Sequence, residues 1–170
     1  MKENFDLAFH ALLKHEGGFV HDERDPGGIT NLGVTKRAWE AYCQDEKDED
    51  DMRALTPEKV RPFYRSRYWN AVGGDSLPGG VDYCVFDCAV NSGPRQAVRF
   101  LQRAVQVNDD GIIGPNTLKA VSGVDPRLII SRLTASRLDF LQKLPAFTAF
   151  GKGWVRRVRE VETLANSLVK

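Results

Sequence analysis

Apolar residues recur at helical spacing from the start of the chain. Phe5, Phe9 and Leu12 lie at i, i+4 and i+7, on one face of a helix with about 3.6 residues per turn. Asn4 can cap this helix, because an Asn side chain accepts a hydrogen bond from the free backbone N–H groups of the first turn. We therefore predict a first helix over about residues 5–16, with the apolar face turned toward a core.

The same spacing predicts helices over most of the remaining chain. The segment 81–91 is apolar nearly all round, which is typical of a helix that is buried on every side. Strand-like alternation is confined to residues 17–34, where we expect a short hairpin arm over residues 29–34. The other helices are expected over 36–44 with Thr35 as cap, 57–69 with a break or kink at Pro62, 95–107, 115–122, 126–144 and beyond Pro145.

Composition narrows the class of protein. The 170 residues suffice for one core, or for one core with a small lobe. Net charge is +1, and no basic stripe interleaves with aromatic residues, so no nucleic-acid partner is expected. Acidic residues crowd into segment 45–51, which is expected to form an exposed loop, with metal capture as the alternative. The Gly-rich segment 73–80 is expected to form a second loop. Three cysteines do not make a disulfide framework, and Cys84 and Cys88 are expected to be small core residues.

The strongest chemical candidate is Glu16. It continues the apolar face of the first helix by one turn, and Gly17 and Gly18 then end that helix. The carboxyl is thus expected to project into a cavity, where desolvation would keep it protonated near neutral pH. A Glu in that state serves as a general acid. The alternative is a solvated carboxylate at the end of a surface helix.

A second acid follows in a different setting. Asp25 lies nine residues after Glu16 and precedes a Pro-Gly-Gly turn, so it is expected to stay ionised. One protonated and one ionised carboxyl form the pair that glycoside hydrolysis requires. Either Thr30 or Asn31 could hold a water beside them. The alternative for Asp25 is a turn-forming role ahead of Pro26.

Further candidates could contact a ligand directly. Tyr68, Trp69 and Trp39 can stack on sugar rings, with packing in the core as the alternative. Asn91 on the central helix is a candidate for substrate contact, with a role in fixing that helix as the alternative.

Two other hydrolytic chemistries fit the sequence poorly. His15 and His21 are six residues apart with two glycines between them, so they do not share a helix face as the histidines of zinc proteases do. Cys84 lies in an apolar helix, which disfavours a thiolate nucleophile.

Three segments of the chain together resemble glycoside hydrolase family 108. Residues 16–35, which begin Glu-Gly-Gly-Phe and contain Asp-Pro-Gly-Gly-Ile-Thr-Asn-Leu-Gly-Val-Thr, resemble its N-terminal signature. Residues 64–69 resemble its Tyr–Trp helix, and residues 87–118 resemble the peptidoglycan-binding segment that follows the catalytic part. The resemblance implies a catalytic segment over 8–92 and a helical peptidoglycan-binding segment over 93–168, packed into one globular unit. Phe19 departs from the family, where Tyr is common.

The resemblance also implies the activity. It indicates a lysozyme-like fold, mainly α, with two helical lobes and a short hairpin arm near the active site. The implied reaction is cleavage of the β-1,4 bond between N-acetylmuramic acid and N-acetylglucosamine, for which we expect inversion. Glu16 matches the catalytic glutamate. The spacing to Asp25 is similar to that of phage-type lysozymes, in which a Thr completes the site, a role that falls here to Thr30 or Asn31.

The same resemblance implies where the protein acts and what it binds. We expect a monomer that acts on peptidoglycan glycan strands without a cofactor or metal. No signal peptide or membrane-spanning segment is evident in the sequence. Synthesis in a bacterial cytoplasm is therefore expected, followed by holin-type release or non-classical export to the periplasm. A phage endolysin and a secretion-associated muramidase both remain open, and a non-catalytic peptidoglycan-binding module is the alternative function.

Overall fold

A computed structural model describes residues 2–21 and 28–170, with the side chains of Lys2 and Glu3 left out. Three short strands are present in this part: β1 Val20–His21, β2 Ile29–Asn31 and β3 Val34–Thr35. The α-helices are α1 Lys2–Leu13, α2 Lys36–Cys43, α3 Glu49–Arg53, α4 Pro57–Tyr64, α5 Val81–Ser92, α6 Pro94–Ala104, α7 Pro115–Ser122, α8 Pro126–Gln142 and α9 Phe147–Ser167. The predicted mainly helical, lysozyme-like fold with a minor β element is confirmed. None of the described helices is both long and apolar enough to cross a bilayer.

The chain divides into two compact units. The N-terminal unit is Phe9–Arg67, and the C-terminal unit is Tyr68–Lys170 together with the residues up to Ala8. Helix α1 therefore contributes its first half to one unit and its second half to the other. Helix α5 belongs to the C-terminal unit, and the predicted division into segments 8–92 and 93–168 stays a prediction.

The first helix begins and ends about three residues earlier than predicted. Its apolar face is buried as expected, with Phe5, Phe9 and Leu12 at most 1% exposed. The helix begins at Lys2, however, so the predicted cap at Asn4 is wrong. The Asn4 side chain instead donates a hydrogen bond of 2.7 Å to the Asp82 carboxylate. The helix ends at Leu13.

The predicted hairpin is confirmed, and a third strand extends it to a three-stranded sheet. β2 pairs with β3 in antiparallel register, with Thr30 opposite Thr35, and β1 adds to the other edge of β2. Leu32 and Gly33 form the two-residue connection, with φ of 50° and 75°. Such turns need positive φ at both central positions, which match the twist of the flanking strands.

Two expectations between the hairpin and the centre of the chain are wrong. The acidic segment is not wholly a loop, because its second half forms α3, with Asp48 and Asp51 capping each other's backbone N–H groups. Pro62 does not interrupt α4, which runs to Tyr64 and continues as a π turn, Arg65–Trp69. A proline removes only its own N–H from the helix, and the buried Phe63 next to it anchors this segment to the core.

Helix α5 is the centre of the C-terminal unit, as its apolar sequence predicted. Its Asp87 carboxylate is fully buried and shared by two guanidiniums. Arg137 of α8 lies 2.6 Å from one carboxylate oxygen, and Arg157 of α9 binds the other at 2.8 and 3.1 Å. We refer to Asp87, Arg137 and Arg157 as the Asp87 cluster. Because its members lie on three helices, the cluster ties α5, α8 and α9 together.

Candidate active site

Glu16 lies in the turn after α1. The backbone N–H of His15 donates to Leu12 at 2.9 Å, and that of Glu16 donates to Leu13 at 3.3 Å, so the chain completes one more turn beyond the helix. The Glu16 side chain is half-buried. The turn therefore presents a carboxyl that is supported by protein on one side and accessible on the other. Its protonation near neutral pH stays a prediction.

Gly33 at the hairpin tip lies directly against this carboxyl. A methyl group built on Gly33 would lie 2.6 Å from Glu16 Oε2 and 2.6 Å from the Tyr64 hydroxyl. Both distances are far inside van der Waals contact, so the hairpin backbone, the carboxyl and the phenol meet at one point. The absence of a side chain at residue 33 creates the space that the Glu16 carboxyl occupies.

Tyr64 is held rigidly in this position. Its hydroxyl donates a hydrogen bond of 2.8 Å to the Leu32 carbonyl in the hairpin turn. Its ring, which is 1% exposed, packs against Phe9 of α1 and Phe63 of α4, with centroids 5.6 and 5.5 Å away. The side chain thus joins α4 to the hairpin next to Glu16 and fixes one wall of the carboxyl's environment.

We expect Gly33→Ala to lower the rate of glycan cleavage roughly 10²-fold, which is the cost of a misplacement of about 1 Å at a reacting group. The new methyl group must push the Glu16 carboxylate or the Tyr64 hydroxyl aside. The rate is measured as reducing ends released from purified sacculi. Gly28→Ala is the matched control, because Gly28 also has a positive φ, 61°, and no described atom lies within 4 Å of the added methyl position.

Both variants carry the same backbone penalty, roughly 1–2 kcal/mol for an Ala in the left-handed region. Their melting temperatures should therefore both fall, that of Gly33→Ala further because its methyl group displaces a neighbour, while only Gly33→Ala loses activity. Equal activities of the two variants would show that the contact between Gly33 and Glu16 has no part in the reaction.

Strand β2 carries the two candidates for holding water. The Asn31 side chain is 6% exposed, and its amide nitrogen donates to the Met52 carbonyl at 2.8 Å. Asn31 therefore fastens the sheet to α3. Thr30 is half-buried and points to the opposite face of the sheet, because successive strand residues alternate. Which of the two holds a water, and the assignment of Asn31 to substrate contact, stay predictions.

Phe19 and His21 are anchored to α3. The Arg53 guanidinium lies 3.8 Å from the centre of the Phe19 ring, so the aromatic ring at this position has a cationic partner. Arg53 also bonds to Glu49 at 2.6 Å, and Glu49 lies 3.1 Å from His21. His21 is thus engaged with a carboxylate of α3. No group of three or more potential metal ligands occurs among the described residues.

Asp25, the second predicted acid, lies outside the described residues, which resume at Gly28. Its pairing with Glu16 therefore stays a prediction.

The aromatic candidates fall mainly in the core. Trp69 is fully buried and its indole N–H donates to Asp75 at 3.0 Å, which favours the alternative of packing in the core. Its assignment to substrate contact stays a prediction. Trp39 is 8% exposed and packs on Tyr42 and Phe63. Tyr68 is half-buried and stays a candidate for substrate contact.

The Asn91 amide is exposed, and its nitrogen donates to the Asp87 carbonyl one turn earlier at 2.8 Å. Its assignment to substrate contact stays a prediction. Glu16 and Thr30 belong to the N-terminal unit, whereas Tyr68 and Asn91 belong to the C-terminal unit.

The cysteine chemistry is disfavoured by burial. The Cys84 side chain is 2% exposed within α5. Burial raises the pKa of the Cys84 thiol to about 12, so the group is a neutral thiol at physiological pH.

The sequence did not indicate that Gly33 and Tyr64 lie beside the Glu16 carboxyl. Tyr64 reaches the hairpin from 32 residues away along the chain, and no spacing rule connects the two. Gly33 carried a usable signal, since a Gly at the tip of a short hairpin marks a position where backbone approaches another group closely.

Comparisons with known proteins identify the family of the chain. Residues 9–93 match the family described as Glycosyl hydrolase 108, and residues 96–159 match the family described as Predicted Peptidoglycan domain. A solved structure of SagA from Brucella abortus is 40% identical to the chain with a TM-score of 0.90, and the match covers 100% of this chain and 98% of that chain. No curated protein matches. The chain belongs to the glycosyl hydrolase 108 family, and it is a peptidoglycan hydrolase that carries a peptidoglycan domain after its catalytic segment.

Proposed function

We propose that the protein is an N-acetylmuramidase that hydrolyses the β-1,4 bond between N-acetylmuramic acid and N-acetylglucosamine. The observation that carries the proposal is the position of Glu16. Its carboxyl lies against the backbone of Gly33 and beside the Tyr64 hydroxyl, at the tip of the hairpin arm. A carboxyl that lies against a rigid tyrosine and the backbone can be presented to a glycosidic oxygen with little loss of conformational entropy.

In the proposed reaction, Glu16 gives its proton to the glycosidic oxygen as the bond from that oxygen to the anomeric carbon breaks. A water molecule attacks the anomeric carbon and loses a proton to Asp25, with Thr30 orienting the water. The product has one new hydroxyl on each fragment, and solvent restores the two carboxyls. Direct attack by water inverts the configuration and requires carboxyls roughly 6.5–9.5 Å apart.

We expect Tyr64→Phe to lower kcat roughly tenfold, equivalent to about 1.4 kcal/mol of barrier, with KM changed less than twofold. The hydroxyl lies beside the carboxyl and fixes the hairpin turn, so its loss should affect the chemical step more than sugar binding. Tyr42→Phe is the control, because Tyr42 packs in the same aromatic cluster through its ring. A Tyr64→Phe enzyme with wild-type kcat would remove Tyr64 from the mechanism.

The experiment that tests the function uses purified sacculi without added metal. The muramidase releases soluble fragments with new reducing ends. A non-catalytic binding module would instead sediment with the sacculi and release none, which would refute the proposal.

A further inference from the structure

Helix α9 begins with a stretch that is largely accessible to solvent. Of residues 146–155, only Gly151 is buried. Most of the accessible side chains are nonetheless apolar, namely Ala146, Phe147, Ala149, Phe150, Trp154 and Val155. We refer to the surface of residues 146–155 as the α9 face. Since a contiguous exposed apolar patch is typical of an interaction site, the α9 face is a candidate for binding a partner.

Three aromatic rings on the α9 face are ordered by one another. The Phe150 side chain is 60% exposed, and its ring stacks on the Trp154 indole with centroids 6.0 Å apart and an angle of 29° between the planes. The Phe147 ring lies 6.3 Å from the same indole. It also covers Gly151, where an added methyl group would lie 2.8 Å from the ring carbons. Because the rings are held before a ligand arrives, binding costs little conformational entropy.

A groove of about 460 Å³ lies on the same face. Phe147 and Val155 form apolar parts of its wall, and Thr148 and Lys152 add a hydroxyl and an ammonium group. Apolar walls with a few polar groups are typical of ligand sites.

The charge near the α9 face favours an anionic ligand. Lys152, which is exposed, is the one charged side chain in residues 146–155. The next charged residues along the chain in either direction are also basic, Lys143 and Arg156. Each of these two pairs with an exposed acid one turn away on its helix. Exposed pairs contribute little, so a ligand that carries carboxylates meets Lys152 with no acid on the face itself.

The rings and the groove fit a glycan better than a lipid bilayer. The C–H groups on the face of a sugar ring carry partial positive charge and are attracted to the negative face of an aromatic ring. A helix that lies in a bilayer interface presents a broad apolar face along its length. In α9 the apolar stripe beyond the α9 face is buried in the core, with Val158 and Val161 at most 2% exposed. The face also lies within residues 96–159, which match the peptidoglycan domain.

We propose that the α9 face is the surface through which the C-terminal unit binds the glycan strands of peptidoglycan. Phe150 stacks on a sugar ring, and Lys152 pairs with a carboxylate on a lactyl group or stem peptide of the strand. The identity of the polymer rests on the family match and not on the bond that is cleaved. Attachment through α9 keeps the N-terminal unit at a high local concentration of its substrate.

Cosedimentation with purified sacculi tests the proposal, with all variants made in the Glu16→Gln background to limit digestion. Phe150→Ser should weaken binding roughly tenfold, which corresponds to about 1.4 kcal/mol of lost contact. Its melting temperature should stay within about 2 °C, because the side chain is mostly exposed.

Leu128→Ser is the matched control for the loss of an exposed apolar side chain. Leu128 is 43% exposed and lies at the far end of the pair of helices α8 and α9, where Arg127 donates to the Asn166 carbonyl. The affinity of this variant for sacculi should change less than about twofold.

Lys152→Gln tests the charge separately from the ring. It should weaken binding at low salt and reduce the dependence of binding on salt, whereas Phe150→Ser should keep that dependence. Lys119→Gln removes an exposed lysine from α7 and should change neither quantity.

Tryptophan fluorescence reports the contact directly. Trp39 and Trp69 are buried, so a ligand on the α9 face should change mainly the emission of Trp154. Peptide-free glycan strands, prepared from sacculi with an amidase, should change the emission of the wild type and not that of Trp154→Phe.

Equal sedimentation of Phe150→Ser and Leu128→Ser would overturn the proposal. So would a Phe150→Ser protein that keeps its affinity for sacculi but loses binding to vesicles of anionic phospholipid, since the face would then serve a membrane. A wild type that releases no reducing ends, with binding that depends on Phe150, would refute the muramidase proposal alone. Release of reducing ends with unchanged binding by Phe150→Ser would refute the role of the α9 face alone.

Discussion

Glu16→Gln is expected to lower kcat/KM for release of reducing ends from sacculi by about 10² to 10⁴, the usual contribution of a positioned general acid. Glutamine keeps the size and the hydrogen-bonding capacity of the side chain but has no proton to give to the leaving oxygen. The surroundings at Gly33 and Tyr64 are unchanged. The melting temperature should therefore stay within about 2 °C of the wild type, because a half-buried carboxyl is replaced by a neutral group of the same shape.

Glu46→Gln makes the same chemical change at an exposed position of the same unit. Glu46→Gln should have wild-type kinetics. This result would exclude the explanation that the loss of any one negative charge changes how the protein adheres to sacculi. A wild-type rate of cleavage by Glu16→Gln would contradict the assignment of Glu16 as the general acid.

Asp87→Asn is expected to lower the free energy of unfolding by roughly 3–5 kcal/mol, as is typical when one partner of a buried ion pair is removed. Asp87 is fully buried, and Arg137 is 3% exposed. The amide would leave the Arg137 guanidinium in the interior without the carboxylate that lies 2.6 Å from it. Urea unfolding followed by circular dichroism measures the difference. Asp139→Asn on α8 is the control, since its pair with Lys143 is exposed and should contribute less than about 1 kcal/mol.

The same carboxylate makes stability depend on pH. Burial alone would raise the pKa of Asp87, but the Arg137 and Arg157 guanidiniums outweigh it and hold the pKa below its usual range. A lowered pKa in the folded state stabilises the fold above the unfolded value of about 3.9, and this contribution is lost as pH falls below it. The wild type should therefore lose stability below about pH 4 more steeply than Asp87→Asn. Parallel acid-unfolding curves would contradict this role for the cluster.

Local patterns predicted the parts of the fold that depend on neighbouring residues. The stripe of Phe5, Phe9 and Leu12 is buried, and Thr35 caps α2 through a hydrogen bond to the Ala38 N–H. The largely apolar sequence of α5 correctly indicated a buried central helix. Glu16 was selected because it continues an apolar stripe, and its assignment as the general acid stays a prediction.

Contacts between distant segments could not be predicted in this way. Asp87 and Arg157 are 70 residues apart, and nothing local indicates that two arginines share one carboxylate. Nor could the sequence indicate that the Asn31 side chain donates a hydrogen bond to the Met52 carbonyl, 21 residues away. Pro62 illustrates the same limit, because burial of neighbouring residues outweighed a local helix breaker.

Mass spectrometry of fragments from sacculi digested by the wild-type protein tests the muramidase assignment most directly. Hydrolysis by a muramidase adds one water per cut and leaves N-acetylmuramic acid at each new reducing end, with the stem peptide still attached. Fragments that end in reducing N-acetylglucosamine, in an anhydro sugar, or in a severed peptide would contradict it.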